Sequence, residues 1–517
     1  MAQNKVSGVT YTKAETGYFE KRSLKRTAGF WGLWGIGIAA VISGDFSGWN
    51  PGLGQAGWGG LLIATIVIVI MYFGMLFSIG EMSAAMPHTG GAYSFSRAAL
   101  GPWGGFITGL AETIEYVVTT AVVVLFSAYY LDTIIADLTG FTLAGDKTHP
   151  NLMWIWWIVL YVIFVGLNSL GAQTSFRFAL VVAVISIAVL LVFAVMAIFS
   201  GKIDFGTLNN IKPAAGGTAF LPFGWAGVLF ALPFATWLFL GIEELPLAAE
   251  EAHNPSRDIP KAGIWGIVTL AFFGLLVLFL NPAVTGSDAL KASTEPLLDG
   301  FRAFLPDSVA AILALFALIG LLASLQGIMF AAGRNMYSLS RAGYYPKFLS
   351  LTGRKHQTPW VALIVGSIIG FIILLVVQWI AATSTAASTA ANGIILFIAV
   401  FGAVISYFSQ MVSFIVLRRK FPNAHRPYKS PVGVPGAVVA GVISFVTLLG
   451  IIFVVDFRPA IITGVIIFAV GVLLFALVGR KRLVLSPEEE YALSGGLHGD
   501  PQVEGYDAME KEVFDTK

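Results

Sequence analysis

The chain has 517 residues, of which 57% are hydrophobic and only 12% are charged. Because soluble domains carry about 25% charged residues, this composition and its repeated long apolar runs indicate a polytopic membrane protein rather than a soluble enzyme. The net charge of +2 comes from basic residues scattered over short loops, which gives no indication of nucleic-acid binding, and the absence of cysteine excludes disulfides and thiolate chemistry.

Twelve apolar stretches predict an all-α polytopic membrane protein of about 12 transmembrane helices. The predicted spans cover residues 28–55, 59–85, 98–131, 153–170, 173–199, 222–245, 262–281, 307–338, 359–379, 391–417, 434–455 and 459–479. They leave an N-terminal tail of residues 1–27 and a C-terminal tail of residues 480–517. An even number of spans places both tails on the same side of the membrane.

The distribution of Lys and Arg predicts which side that is. The loops opposite the two tails carry only six basic residues, namely Lys147, Lys202, Lys212, Lys291, Arg302 and Arg458, whereas the segments on the side of the tails carry almost all the others. Because cytoplasmic loops are enriched in Lys and Arg, both termini are predicted to be cytoplasmic in a protein of the cell membrane. Residues 483–517 form a mildly acidic stretch that we expect to be mobile, with no assigned role.

The first predicted span contains an acid. Residues 42–45 read Ile-Ser-Gly-Asp, so Ser43 and Gly44 precede Asp45, and a Trp-Asn-Pro-Gly run follows at 49–52. A carboxylate at that depth is costly in hydrocarbon and normally faces a cavity or a partner. The pattern therefore predicts unwound backbone with a negative charge aimed at a cavity, which would suit a cationic ligand.

The sixth predicted span repeats this pattern. Residues 234–244 place Gly241 and then Glu243 and Glu244 inside an apolar helix, together with Trp237. Secondary transporters built from inverted repeats carry discontinuous helices at corresponding positions of the two halves. Interruptions in spans 1 and 6 fit that architecture, although glycines in membrane helices often serve only close packing.

Other polar residues inside the spans are candidates for coupling or gating. Glu112 and Glu115 share one face of span 3, and their proximity suits one of them to holding a proton. Glu243 is expected either to cap the second break or to take part in gating. Gln326 in span 8 and Tyr407 in span 10 complete the set. For Glu112, Glu115, Gln326 and Tyr407, a hydrogen bond between neighbouring helices is the alternative.

Several runs resemble one transporter family. Residues 249–261 closely resemble the A-E-E-x-x-N-P-x-R-x-I-P-[KR] stretch of the amino acid–polyamine–organocation (APC) superfamily, and residues 81–93, 334–346 and 426–431 resemble three further stretches of it. The resemblance implies a five-plus-five inverted repeat followed by two peripheral helices, with substrate at the two breaks. It divides the chain into a first repeat at 28–199, a second repeat at 200–417 and the two last helices at 418–479.

Within the superfamily, residues 42–50 and 100–106 look most like bacterial ethanolamine permeases. Its amino acid transporters usually carry Gly-Ser-Gly-Ile at the first break, where the substrate carboxylate docks on free backbone N–H groups. Asp45 stands at the isoleucine position, where the same free N–H groups are expected to stabilise it. It would repel a substrate carboxylate strongly in a low dielectric. The resemblance and this departure imply import of ethanolamine by alternating access, its ammonium paired with Asp45. The implied substrate-binding residues are Ser43, Gly44, Asp45, Glu115, Trp237, Phe239 and Gly241, the aromatic rings acting through cation–π attraction.

Alternative functions stay open to different degrees. A broader amine or amino acid permease or exchanger of the same superfamily is the nearest alternative. The sequence offers no nucleophile–base set, metal-ligand spacing or phosphate-binding loop to indicate an enzyme or a pump, and no repeated pore motif to indicate a channel. No cofactor is expected, and the expected partners are a small amine and the lipid bilayer. Coupling to H⁺, coupling to Na⁺ and exchange all stay open. The sequence does not indicate an oligomeric state.

Overall fold

The computed structural model describes residues 5–6, 8–15, 17–145, 150–383, 385–454 and 458–494. Within these residues the twelve spans are Phe30–Phe46, Pro51–Ala85, Gly91–Thr139, Trp154–Ser169, Ala172–Phe199, Gly224–Glu251, Pro255–Thr285, Asp307–Arg341, Trp360–Thr383, Thr385–Lys420, Gly433–Phe453 and Arg458–Leu477. Ten helices are long and apolar enough to cross a membrane, and spans 1 and 4 are shorter apolar helices. The strands in the described part of the chain are the short pair Lys5–Val6 and Val9–Thr10, so the prediction of an all-α polytopic membrane protein is confirmed.

Spans 3, 6 and 10 form the interior of the helix bundle. The most apolar stretch of each is 78% buried, whereas that of span 12 is 11% buried. Span 3 packs along spans 8 and 10, and span 1 lies against spans 5, 7 and 8. The buried acids of span 3 are therefore shielded from lipid, as ionisable groups in membrane helices normally are.

The predicted break in span 1 is present but lies one turn later than expected. Residues Ser43–Phe46 form a helical turn that includes Asp45, and the backbone becomes extended only at Ser47 (φ −162°, ψ 158°). Gly48 then adopts a left-handed conformation (φ 91°), which favours glycine. Pro51 begins the next helix. The Gly and Pro signals after Asp45, rather than the glycine before it, decide where the chain leaves the helix.

The predicted break in span 6 is confirmed. The helix Gly224–Trp237 ends, and Gly241 takes a left-handed conformation (φ 112°) before a 3₁₀ helix, Ile242–Glu251. A Cβ atom at Gly241 would lie 2.8 Å from the Cδ1 atom of Ile328 in span 8. Glycine is therefore favoured at this position by the left-handed backbone conformation, and the end of the Ile328 side chain in span 8 packs closely against it.

The two broken helices cross in direct backbone contact at Gly44. A Cβ atom at this position would lie 2.9 Å from the Cα atom of Leu238 and 2.9 Å from the carbonyl oxygen of Trp237. Because both atoms belong to the main chain of span 6, they cannot move aside as the end of a flexible side chain would. This contact holds the two breaks side by side in the bundle.

We expect Gly44→Ala to destabilise the protein by about 1–3 kcal/mol, because the added methyl group overpacks this crossing. Gly166→Ala is the matched control, since a Cβ atom at Gly166 in span 4 would meet no atom within 4 Å and alanine is the better helix former. Thermal unfolding followed by tryptophan fluorescence in detergent should show a lower midpoint for Gly44→Ala alone. Equal midpoints for the two variants would contradict the assigned crossing.

The segments that precede span 1 and follow span 12 meet on one face, called the termini face below. The backbone N–H of Thr12 donates to the carbonyl oxygen of Leu483 (2.7 Å), and Tyr11 donates to Glu489. The expectation of a mobile tail is wrong for residues 483–494, which are folded and contain a short helix, Pro487–Leu493. The remaining residues of the predicted tail, 495–517, lie outside the described residues.

Candidate functional site

A cavity of about 1090 Å³ opens on the face opposite the termini. Its mouth includes residues 291–295 of the loop between spans 7 and 8, and its inner end is formed by Ser47, Gly48 and Phe126. The unwound part of span 1 therefore lies at the bottom of a vestibule. Backbone freed from helical hydrogen bonds is tolerated at membrane depth where it lines such a space.

Aromatic side chains satisfy the carbonyl groups that the break in span 1 exposes. The indole N–H of Trp237 donates to the carbonyl oxygen of Ser47 (3.0 Å), and the hydroxyl of Tyr130 donates to that of Phe46 (2.8 Å). The Trp237 ring also contacts Phe126 edge to face, at 6.2 Å between ring centroids. Trp237 thus closes the bottom of the vestibule, and its nitrogen is committed to the backbone of span 1.

Asp45 is fully buried just beyond this floor. Its Oδ1 atom lies 3.3 Å from the position that a Cβ at Gly274 in span 7 would occupy, and the ring of Phe239 lies 3.6 Å from the same point. Neither carboxylate oxygen accepts a hydrogen bond from any described residue. The expectation that free backbone N–H groups stabilise Asp45 is therefore wrong, because Asp45 lies in a helical turn before the unwound segment and faces span 7.

A buried carboxyl group without a hydrogen-bond donor is energetically unfavourable. Transfer of an unpaired ionised group into a medium of low polarity is so costly that such groups take up a proton or a counter-ion. The two oxygens of Asp45 and the neighbouring ring of Phe239 are groups that can bind an ammonium. Asp45 is therefore suited chemically to a cation that enters from the vestibule.

Glu115 of span 3 and Glu243 of the second break form a buried carboxyl pair. Both side chains are buried and interact electrostatically, and one oxygen of each, Oε2 of Glu115 and Oε1 of Glu243, has no hydrogen-bond donor among the described residues. The hydroxyl of Tyr407 donates to Oε1 of Glu115 (2.9 Å), and the backbone N–H of Gly241 donates to Oε2 of Glu243 (3.1 Å). Because two adjacent buried carboxylates repel each other strongly, such a pair is suited to holding one proton between them.

Tyr72 of span 2 connects the surroundings of Asp45 to this carboxyl pair. Its ring contacts Phe239 edge to face at 5.7 Å, and its hydroxyl donates to the hydroxyl of Tyr407 (3.2 Å). Tyr407 in turn donates to Glu115. A continuous set of contacts thus runs from the aromatic wall beside Asp45 to the paired acids.

The other predicted residues lie in helix contacts. The two oxygens of Glu112 accept from Asn335 (3.0 Å) and Tyr116 (3.4 Å), so this acid is bonded within the bundle. The amide nitrogen of Gln326 donates to Asn168 of span 4 (3.1 Å). The bonds of Glu112 to Asn335 and of Gln326 to Asn168 are the interhelical bonds that were the alternative prediction, whereas Tyr116 lies one turn after Glu112 in span 3 itself.

Ser43 meets span 8 through its backbone. Its N–H donates to the hydroxyl oxygen of Ser324 (2.8 Å), and that hydroxyl donates to the carbonyl oxygen of Ala39 (2.7 Å). Ser324 thereby bridges the two ends of the turn that leads to Asp45.

Sequence reasoning did not select Ser324, Tyr72 or Gly274. A tyrosine alone among apolar residues in span 2 was the one available signal, and for Gly274 there was none.

The site is closed towards the termini face by buried ion pairs. Arg334 of span 8 holds Glu251 at the end of span 6, with Nη2 2.8 Å from Oε1 and both side chains fully buried. Arg341 holds Glu250 in the same way, with Nη1 2.9 Å from Oε2. These pairs fasten the second half of span 6 to span 8, so the path from the vestibule ends inside the protein.

Elsewhere on the termini face, Glu81 accepts from Arg418 (Nε, 3.0 Å) and lies 3.2 Å from Nε of Arg426. In the described part of the chain, no group of three His, Asp or Glu side chains is arranged to hold a metal ion.

Comparison with known proteins identifies relatives over most of the chain. The profile of the amino acid permease family matches residues 32–482. The branched-chain amino acid permease BcaP of Bacillus subtilis (strain 168) is 26% identical over 471 residues, which cover 87% of this chain and 93% of the relative. The methylthioribose transporter of the same organism is 25% identical over 482 residues, 90% of this chain and 96% of the relative. An uncharacterized transporter of Rhizobium meliloti (strain 1021) is 27% identical over 349 residues, 67% and 71% of the two chains.

Proposed function

Because this chain belongs to the amino acid permease family, we propose that it is a secondary transporter that imports ethanolamine, or a very similar small amine, across the cell membrane. The observation that carries the proposal is Asp45, a fully buried carboxylate without a donor among the described residues, beside the ring of Phe239 and below the vestibule. An ammonium group would supply the missing counter-charge. Phe239 would add cation–π attraction.

The same carboxylate argues against an amino acid as the preferred substrate. An amino acid would bring its own negative charge close to Asp45, and repulsion between like charges is large where the dielectric constant is low. Ethanolamine has one ammonium, one hydroxyl and no carboxylate. Its hydroxyl would find polar partners in the unwound backbone around Gly48 and Gly241.

The names of the relatives are compatible with a substrate that lacks a carboxylate. One of them is named a branched-chain amino acid permease, but another is named a methylthioribose transporter, and methylthioribose has no carboxylate group. A broader amine or amino acid permease is the second candidate, which the names of the amino acid permeases among the relatives favour. The negative charge of Asp45, rather than similarity to named relatives, is our reason for preferring ethanolamine over an amino acid.

We assign the transport cycle to alternating access around the two breaks. The vestibule provides access from one face, while the pairs Arg334–Glu251 and Arg341–Glu250 close the other. Residues 28–199 and 200–417 would act as the two inverted repeats. We take the termini face as cytoplasmic, because most Lys and Arg residues of the loops lie on it.

The pair Glu115–Glu243 is the proposed coupling site for protons. One proton held between the two carboxyl groups would be released when the break of span 6 moves away from span 3, because the contact between the groups would then be lost. The path through Tyr407 and Tyr72 connects this event to the wall of the amine site. Substrate binding and proton release would thereby both depend on movement of the broken part of span 6.

Competition distinguishes the two candidate functions. In cells that produce the protein, excess unlabelled ethanolamine should suppress uptake of labelled ethanolamine, whereas the same excess of alanine or glutamate should leave it nearly unchanged. The physical reason is the repulsion between Asp45 and a substrate carboxylate. Inhibition by alanine comparable to that by ethanolamine would favour the broader permease.

A further inference from the structure

The described end of the C-terminal tail, residues 483–494, is called the C-terminal segment here. It carries three consecutive acids, Glu488, Glu489 and Glu490, and all three are fully buried on the termini face. Runs of acids usually lie in solvent, because a buried charge is stable only when it is paired and hydrogen-bonded. The partners of two of these acids show what the segment fastens together.

Glu489 is held by four donors from separate parts of the chain. Its carboxylate accepts from Tyr11 of the N-terminal tail (2.6 Å), Tyr93 (2.7 Å) and Arg97 (Nε, 2.7 Å) at the start of span 3, and Tyr344 after span 8 (2.9 Å). Burial, and then the carboxylate of Glu489, raise the pKa of the Tyr11 hydroxyl above its ordinary value, so Tyr11 stays protonated as a donor. One carboxylate therefore ties the N-terminal tail to spans 3 and 8.

The ion pairs Arg334–Glu251 and Arg341–Glu250, which close the termini face, are called the gate here. Glu488 binds the same arginine, Arg341, as one of these pairs. Its Oε1 atom accepts from Nη2 of Arg341 (2.6 Å) and from the hydroxyl of Ser338 (3.1 Å). The same Nη2 atom donates to Oε1 of Glu250 at the end of span 6 (2.5 Å). The guanidinium group that closes span 6 onto span 8 is thus also bound by the C-terminal segment.

We propose that the C-terminal segment is a latch that keeps the termini face closed and has to release Arg341 before the path opens on that face. Opening requires the second half of span 6 to separate from span 8, and Arg341 is the group through which both span 6 and the segment are fastened. The bond from Glu488 holds this guanidinium in position for Glu250. Residues 483–494 also fix the N-terminal tail that leads into span 1, through the contact of Thr12 with Leu483.

The latch goes beyond the proposed function, since it concerns how often the gate opens rather than which substrate binds. It rests on alternating access but not on the identity of the amine. A segment that served only the stability of the fold would change the unfolding temperature without changing the opening rate of a folded protein. The rate of gate opening therefore separates the two roles.

The chain contains no cysteine, so a single introduced cysteine reports on one position. Ala248 lies in the second half of span 6 and is fully buried, which makes Ala248→Cys a reporter of gate opening. We would measure how fast a water-soluble maleimide modifies it in purified protein without substrate. Adding Glu488→Gln should accelerate modification at least about fivefold, because the open state becomes more populated when a charge-assisted hydrogen bond of the closed state is lost.

Two further variants keep the result interpretable. Glu20→Gln alters an exposed acid on the same face and should leave the modification rate at that of the reporter alone. Ser338→Ala removes only the hydroxyl that donates to Glu488 and should accelerate modification by a smaller factor. If the Glu488→Gln protein does not fold, Ser338→Ala takes its place in the test. An unchanged rate in the folded Glu488→Gln protein, or in Ser338→Ala when it stands in, would overturn the proposal. Ethanolamine is not used, so this failure would be distinct from a failure of the substrate assignment.

Discussion

Asp45→Asn is expected to reduce ethanolamine uptake at least about thirtyfold, because removing one partner of a buried charge pair costs about 2–5 kcal/mol. Asparagine keeps the size of the side chain but cannot neutralise an ammonium group. The loss should appear as weaker substrate binding as well as slower transport, since the carboxylate contacts the substrate directly. Uptake of labelled ethanolamine over a range of concentrations, normalised to the amount of protein in the membrane, measures the effect.

Asp288→Asn provides the matched control for this substitution. Asp288 lies on an exposed loop, where it pairs with Lys291, and an exposed ion pair contributes little to stability. The control variant should transport like the parent protein. Near-normal uptake by Asp45→Asn would contradict the assignment of Asp45 as the counter-ion.

Glu115→Gln is expected to abolish accumulation driven by a pH gradient while leaving exchange of substrate across the membrane within about threefold of the parent. Glutamine can still accept the hydrogen bond from Tyr407, but it cannot share a titratable proton with Glu243. The protein should therefore bind and exchange ethanolamine without using the proton gradient. Proteoliposomes allow both measurements, with an acidic exterior in one case and internal unlabelled ethanolamine in the other.

Glu112→Gln is the control on the same face of span 3. Because both oxygens of Glu112 accept hydrogen bonds within the bundle, its amide variant should keep accumulation that depends on the pH gradient. Gradient-driven accumulation that survives in Glu115→Gln would exclude the carboxyl pair as the proton site. Loss of both activities in this variant would instead indicate a structural role for Glu115.

The breaks in spans 1 and 6 could be predicted from the sequence because acidic residues are rare inside apolar helices and both breaks place an acid close to a glycine. Gly241 is needed at its position by a left-handed backbone, and this is a local property that sequence reports well. The break in span 1 was placed too early because Gly44 looked like a helix breaker. Its actual role is a close crossing with span 6, which depends on a segment almost two hundred residues away.

The surroundings of Asp45 could be predicted only in part. An acid in span 1 indicated a cavity and a cation. A cavity is present, but Ser47 and Gly48 line it, whereas Asp45 is buried against span 7. Asp45 faces Gly274 rather than free backbone N–H groups because of the way one helical turn is rotated. No spacing in the sequence encodes that rotation. Tyr72 joins the site through a chain of side-chain contacts with span 10, so its role appears only when the helices are packed.

The burial of residues 483–494 could not be predicted from composition. A run of three glutamates normally indicates a solvated tail, and the sequence does not show which basic residues compensate its charge. Arg97 and Arg341 provide that compensation, and they belong to spans 3 and 8. Long-range pairing of this kind is decided by the packed bundle.

Uptake of labelled ethanolamine into proteoliposomes, with pH and sodium gradients imposed separately, tests the central claim most directly. We expect saturable accumulation above the external concentration when the exterior is acidic, with the sodium gradient alone having no effect. Unlabelled ethanolamine should abolish the signal and alanine should not. A protein that gives no saturable accumulation under either gradient or with internal ethanolamine, although it is correctly folded in the liposomes, would contradict the account.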